Sequence, residues 1–265
     1  MKENNETKGY MVFWGGKLEI DGCIFSEGWN VCTDIWEDVS LKLLIKNRFY
    51  FFETMERCFK NCHLSNQLEI REMYCETNRV HAKEEGLIAS NKIYIGNKVE
   101  LTEELIHKIV RANPHQVGRA FWFFEKFLNK EIVETALRAC PTDIRVFCHK
   151  QNDFLTEELA HEIIKLKPFT IKPVYKFNKE FITKGLVEDM VENINKPEFI
   201  KFRVRDLLEC GKDVIDVEVI QKLLKKKPST LEVVLQKMPN LLTREIVHSS
   251  LKSIVPELKG FPEFL

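Results

Sequence analysis

The stretch Leu101-Thr102-Glu103-Glu104-Leu105-Ile106-His107-Lys108-Ile109-Val110-Arg111-Ala112-Asn113-Pro114 decides the fold, because the chain goes on to repeat it. Its opening returns as Leu128-Asn129-Lys130-Glu131-Ile132-Val133, as Leu155-Thr156-Glu157-Glu158-Leu159-Ala160 and as Ile182-Thr183-Lys184-Gly185-Leu186-Val187, each time after 27 residues. Ile215-Asp216-Val217-Glu218-Val219-Ile220 follows after 33 residues, which implies an insertion of six, and Leu242-Thr243-Arg244-Glu245-Ile246-Val247 restores the spacing of 27. Copies at a fixed period are the mark of a stacked array, in which one unit cannot bury its apolar face alone.

Position 2 of the copies reads Thr102, Asn129, Thr156, Thr183, Asp216 and Thr243. Each carries a side-chain oxygen that can accept a hydrogen bond from an orphaned N–H of a helix start. Apolar residues at positions 1 and 6 have the spacing of a hydrophobic staple. Glutamates in the first turn suit the positive end of the helix dipole. Apolar residues at positions 5, 6, 9 and 10 form one helical stripe. Pro114, Pro141, Pro168 and Pro228 all fall at position 14. A proline drives the residue before it out of the α region and suits the first position of a following helix. Each unit is therefore expected to be a helix of roughly three turns, a proline break and a shorter second helix. Copy four departs from the rule with Asn195 at position 14 and Pro197 two residues late, and copy six has Pro256 one residue late.

This pattern, L-T-x-E-[LIV] with a proline nine residues beyond, resembles a family of short helical repeats of uncharacterised function found in bacterial, phage and large-virus proteins. The resemblance covers Leu101 to about Glu263. It implies a fold and no catalytic residue.

The first hundred residues have another texture. Gly9-Tyr10-Met11-Val12-Phe13-Trp14, then Gly15-Gly16, then Lys17-Leu18-Glu19-Ile20 reads as strand, glycine turn and strand. Further extended chain is expected at Ile24-Phe25, Trp29-Asn30-Val31-Cys32, Leu68–Tyr74 and Lys92-Ile93-Tyr94-Ile95, and Leu41–Ile45 is a short apolar run. Thr54 is placed to cap a helix from Met55 to about Asn61 that directs Met55, Cys58, Phe59 and Cys62 to one face. The expected fold class is α+β. A small, mainly antiparallel α+β head occupies 1–100, and an all-α helical-hairpin array of six repeats occupies 101–265.

Lys8-Gly9-Tyr10, the block Phe49-Tyr50-Phe51-Phe52 with Glu56-Arg57-Cys58-Phe59, Asn78-Arg79-Val80, and Ser90-Asn91-Lys92-Ile93-Tyr94-Ile95 ahead of Leu101-Thr102-Glu103-Glu104 form a second pattern. Together they are similar to an uncharacterised domain of phage and prophage proteins of low-GC bacteria. The central block of that domain reads G-F-H-F-C, whereas this chain has Arg48-Phe49-Tyr50-Phe51-Phe52. Tyr50 stands where the His would be, so any chemistry at that His is expected to be missing here.

Lys and Arg number 40 against 40 Asp and Glu, so the whole-chain field gives no push toward DNA or membrane. Residues 1–100 carry 13 basic against 16 acidic side chains and the remainder 27 against 24, a shift from −3 to +3. No run of about 18 apolar residues is present, and the polar start Met1–Lys8 has no apolar stretch behind a basic opening. Eight cysteines without a regular framework are expected as reduced thiols in a cytoplasm, that of a bacterial host. Cys58-x-x-x-Cys62-His63 invites a metal reading, with Cys75 and His81 as recruits, but it lacks the second close pair of a zinc site.

No phosphate-binding glycine loop, G-x-S-x-G, H-E-x-x-H or zinc-deaminase signature is found. His107, His161 and His248 share position 7, where a solvated polar residue is the ordinary reading. Asp38 and Glu56 could pair, although nothing in their spacing requires it. Lys222, Lys225, Lys226 and Lys227 form the densest basic cluster, with Lys165, Lys167, Lys172, Lys176 and Lys179 in an earlier copy. Such a ladder could neutralise phosphates of RNA or DNA, and it is also the default composition of a solvated helix face.

No catalytic residue, cofactor or metal is expected. The expected function is that of a non-enzymatic interaction protein. Its partner-binding candidates are Trp29, Trp36, Trp122 and Tyr175, with Trp122 and the run Phe121–Phe124 also candidates for core packing. The two resemblances imply a phage or mobile-element accessory protein. Its concrete form is an inhibitor that binds a host protein or ribonucleoprotein of defence, such as a CRISPR effector, as an anti-CRISPR protein does. A nucleic-acid-binding repeat protein and a degenerate ADP-ribosyltransferase-like head are the alternatives, and no membrane association is expected.

Overall fold

The computed structural model describes residues 6–13, 19–20, 23–31, 49–60, 62–77, 80–84, 86–149, 152–199 and 203–254. Gly15-Gly16, the Leu41–Ile45 run, Trp36, Asp38, Arg48, Asn78-Arg79 and Pro256 lie outside them. The protein is α+β, with an antiparallel sheet in its N-terminal part and helices after it. The chain divides into two compact units, Met1–Ile132 and Val133–Leu265. The change of texture at residue 100 is a change of local pattern. By contacts, the first helical copy belongs with the sheet.

In the first unit the strands are β1 (Glu6–Phe13), β2 (Glu19–Ile20), β3 (Cys23–Ile24), β4 (Gly28–Val31), β5 (Phe49–Phe52), β6 (Glu69–Glu76), β7 (Val80–Glu84), β8 (Leu87–Ser90) and β9 (Lys92–Val99). Seven of them form one sheet in the order β4-β9-β6-β1-β5-β8-β7, and β2 pairs with β3 apart from it. Alternation sets the two faces. Met11 and Phe13, Met73 and Cys75, Ile93 and Ile95, Phe51 and Ile88 turn inward and join Phe25 in one core. Helix α1 (Met55–Lys60) follows Thr54, whose Oγ1 accepts from Arg57 N at 3.4 Å, and it buries Cys58 and Phe59. The hairpin of β7 and β8 is absent from the sequence reading. It turns at Gly86, whose φ of +75° is a conformation that side-chain-bearing residues rarely adopt.

The helices after the sheet are α2 (Glu103–Ala112), α3 (Val117–Phe124), α4 (Lys130–Ala139), α5 (Ile144–Phe147), α6 (Glu157–Leu166), α7 (Ile171–Phe177), α8 (Lys184–Glu192), α9 (Val204–Cys210), α10 (Val217–Lys226), α11 (Leu231–Lys237) and α12 (Arg244–Ile254). Every expected cap is made. The side-chain oxygens of Thr102, Asn129, Thr156, Thr183, Asp216 and Thr243 accept from the N–H three residues on, at 3.0–3.4 Å. The stripe is buried as its spacing requires: Leu159, Ala160, Ile163 and Ile164 in α6, Leu186, Val187, Met190 and Val191 in α8, and Val219, Ile220, Leu223 and Leu224 in α10.

The prolines act slightly differently from the expectation. Pro114, Pro141, Pro168 and Pro228 each begin a three-residue 3-10 turn, and the second α-helix starts only after it. The preceding residues Asn113, Cys140, Lys167 and Lys227 leave the helical region at φ −130 to −141° and ψ 70–86°. Proline suits the first position of such a turn, where its missing N–H would have had no partner. In the second unit α8 packs against α10, α9 against α7 and α11, and α10 against α12.

His107 and His161 have a structural use. Each Nε2 lies 2.6 Å from a carbonyl oxygen twenty residues on, that of Phe127 or Phe181, tying the first helix of a copy to the end of that copy. His107 and His161 are thus clamps within their copies.

If the caps hold the short helices, Thr156→Ala should lower the unfolding free energy by about 1 kcal/mol and Thr156→Asp should largely keep it. Urea denaturation of the full chain checks this. Equal midpoints for the native chain and the alanine variant would refute the capping role.

Candidate functional site

The solvent side of the sheet carries a row of aromatic rings. Register places Lys8 opposite Tyr74, Tyr74 opposite Tyr94 and Tyr94 opposite Trp29, across β1, β6, β9 and β4. Cross-strand neighbours on one face sit close enough for rings to touch. Trp29 and Tyr94 meet edge to face with centroids 5.4 Å apart, and Tyr94 meets Tyr74 in the same manner at 6.3 Å. Trp29 remains 44% exposed and Tyr94 39%. Gly96 makes room for this row, since a Cβ there would stand 2.9 Å from the Tyr74 ring. The rings border an open groove of about 590 Å³ that Arg71, Lys98 and Glu27 also line.

Among the described residues, the four cations beside these rings are matched by carboxylates. Lys8 pairs with Glu72, Lys92 with Glu76 at 2.8 Å, Lys98 with Glu69 at 3.2 Å, and Arg71 with Glu27 at 2.8 Å and with Glu69. Lys92 Nζ also lies 4.2 Å from the centre of the Trp29 ring, and Lys8 Nζ 5.6 Å from that of Tyr74. The hydrogen bond from Lys8 holds the Glu72 carboxyl below its ordinary range, and Glu72 in turn raises the Tyr74 hydroxyl that donates to it at 2.8 Å. The face is therefore aromatic and hydrogen-bonded, with its charge cancelled internally.

The other sequence candidates scatter. Trp36 lies outside the described residues. Trp122 is not core: in α3 it is 54% exposed beside Phe123 at 46%, while Phe121 of the same run is fully buried. Tyr175 is half-buried in α7. Of the four lysines, Lys222 pairs with Glu188 at 3.2 Å and Lys226 with Glu192 at 2.6 Å. Lys225 is exposed, and Lys227 ends α10 with its own N–H bonded to Leu223. Tyr50 lies in β5, paired with Ala89. Cys58 and Cys62 are buried side by side, and their mutual hydrogen bond and burial push the Cys58 thiol far up. His63 is exposed, with Nδ1 3.4 Å from Gln116 Nε2. Among the described residues no three His, Cys, Asp or Glu side chains come together as a metal-binding group, and no helix is long and apolar enough to cross a membrane.

Sequence reading found Trp29 but missed its partners Tyr94 and Tyr74. The signal was present: Tyr94 alternates out of phase with Ile93 and Ile95, and Tyr74 with Met73 and Cys75.

The ion pairs of the second unit have a pH signature. Asp216 accepts from Val219 N and pairs with Lys184, and chiefly the lysine holds its carboxyl below the ordinary value of 3.8. A depressed carboxylate stabilises the fold above its unfolded pKa, and that contribution is lost as pH falls through the folded value. Asn caps as well as Asp does but does not titrate. The Tm of Asp216→Asn should therefore fall short of the native value at neutral pH and converge with it as the pH falls below the ordinary carboxylate value of 3.8 and through the lower folded one. A constant difference across that range would show that the pair contributes nothing.

Compared with protein-family models, with curated proteins and with solved structures, the chain matches none, so the aromatic face is read from its own geometry.

Proposed function

We propose that this chain is a non-enzymatic binding protein whose head captures a protein partner on the Trp29–Tyr94–Tyr74 face. One observation carries the reading: a contiguous aromatic row, exposed at Trp29 and Tyr94 and half-buried at Tyr74, lies among cations that are already neutralised. Tyr, Trp and Arg are the residues that most often carry the energy of protein interfaces, and their rings offer large contact area at small entropic cost. A reader of phosphate backbones needs uncompensated positive charge instead. Trp122 and Phe123 in α3 add a second exposed aromatic pair on the same unit.

The caps, buried stripes and proline turns support reading 101–265 as a solenoid of six helical hairpins. Arrays of this type present an extended surface. That the partner is a host protein or ribonucleoprotein of defence, inhibited by a phage or mobile-element product, is supported by the two sequence resemblances alone.

The test begins with cross-linking in a bacterial host to identify the partner, followed by calorimetry on the purified pair. Trp29→Ala and Tyr94→Ala should each weaken binding roughly thirtyfold, about 2 kcal/mol, while raising the salt concentration should have little effect. A partner affinity indifferent to both substitutions would defeat the proposal, as would head-face binding of bare nucleic acid that collapses with salt.

A further inference from the structure

The second unit contains a groove of about 590 Å³ that the aromatic face does not explain. Its walls come from α5, α7 and the start of α9, and the period of the sequence builds them. Arg145 and Lys172 stand 27 residues apart at the same position of successive copies, and so do His149 and Lys176. Within α7, Lys172 and Lys176 are four residues apart, on one helix face. Arg203, immediately before α9, completes the lining.

Among the described residues, three cations of this groove lack the acidic partner that several lysines of the neighbouring helices have. Among the described residues, Arg145, Lys176 and Arg203 are exposed and have no carboxylate within ion-pair distance. One acid, Asp206, lines the groove; it lies 3.4 Å from Lys172, which is also 3.7 Å from Glu209. Glu209 is itself held by Lys237 at 2.6 Å. By contrast Lys165, Lys184, Lys222 and Lys226 each have an acidic partner at 2.5–3.2 Å. The groove also has an aromatic surface: the Arg145 guanidinium sits 5.4 Å from the centre of the half-buried Phe169 ring. The Cys148 thiol in its wall is pushed up to about 12 by burial, so it is no nucleophile at neutral pH.

We infer that this groove binds single-stranded nucleic acid, with Arg145, Lys176 and Arg203 on the phosphates and a base stacked on the Arg145–Phe169 pair. Unpaired cations release counterions from a phosphate chain, and bases of a single strand stack on aromatic rings and guanidinium planes. A duplex keeps its bases inside and offers nothing to Phe169. An anionic bilayer or an acidic peptide could answer the charge but would leave the stacking pair unused. The inference is independent of the head's aromatic face.

The experiment uses the full chain with labelled homopolymeric single strands of uridine or thymidine, a duplex of equal length, phosphatidylserine vesicles and polyglutamate. Binding is followed by anisotropy from about 50 to 200 mM salt. Single strands should bind best, with a log–log salt slope of about −2, or about −0.7 for each phosphate contact. The ratio of uridine to thymidine affinity tells RNA from DNA as the source. Arg145→Gln with Lys176→Gln should cost at least tenfold in affinity and flatten the slope by about 1.4. Phe169→Leu should weaken binding with the slope unchanged, and Lys225→Gln should leave both unchanged. Circular dichroism confirms that each variant is folded. No binding of single strands, a preference for vesicles or polyglutamate, or indifference of a folded Arg145→Gln/Lys176→Gln variant would overturn the inference.

Discussion

The structure depends on a limitation of the short helix. A helix of ten residues leaves its first N–H groups without partners and has one apolar stripe, so it is marginal by itself. Both deficits are met in the same way in copy after copy. A side-chain oxygen at position 2 takes one orphaned N–H, and positions 5, 6, 9 and 10 are buried against adjoining helices. The proline turn then brings the second helix back at a set distance. His107 and His161 tie the end of their copies to the beginning, which explains a polar, partly buried side chain at that position. The six-residue insertion falls where copy four lacks Pro at position 14, and there the 3-10 turn forms at Pro197–Phe199 instead.

Charge pairing separates the two surfaces of interest. The chain as a whole is neutral, and on the sheet and along several helices a basic side chain has an acidic partner. On the sheet this cancellation leaves the aromatic rings as the distinguishing feature of the face. In the groove between α5, α7 and α9 it is incomplete: among the described residues Arg145, Lys176 and Arg203 have no carboxylate partner, and Arg145 lies beside Phe169. Density of lysine along the sequence is a poor guide to such a cluster. Lys222 and Lys226 lie in the densest run and are neutralised, whereas Arg145 and Arg203 lie far apart in sequence and are not. Ion pairs between exposed groups add little stability, but they remove positive charge from what a phosphate would meet.

The sequence by itself determined the local structure of the helical part. Caps, stripes and proline breaks are patterns spelled by residues within about fourteen positions of each other, so they can be read locally even though the stripe is buried only against adjoining helices. It also determined which strand residues of the head face inward, since alternation is local: Met11 and Phe13, Ile93 and Ile95. Strand neighbours were another matter. That β1 lies between β6 and β5, and that Trp29, Tyr94 and Tyr74 become one row, depends on pairings between residues tens of positions apart. The β7–β8 hairpin went unread because Lys83-Glu84-Glu85-Gly86 has the polar composition of a loop, whereas Lys83 and Glu84 belong to β7 and pair with Ile88 and Leu87 beside Gly86 and its left-handed φ. Trp122 and Phe121 are adjacent aromatics with opposite fates, one exposed and one buried, because successive helix positions point about 100° apart and the neighbouring elements choose the buried side. Which cations keep their charge was likewise left to the tertiary structure, since a carboxylate partner such as Glu188 or Glu192 comes from a different helix, more than thirty residues away.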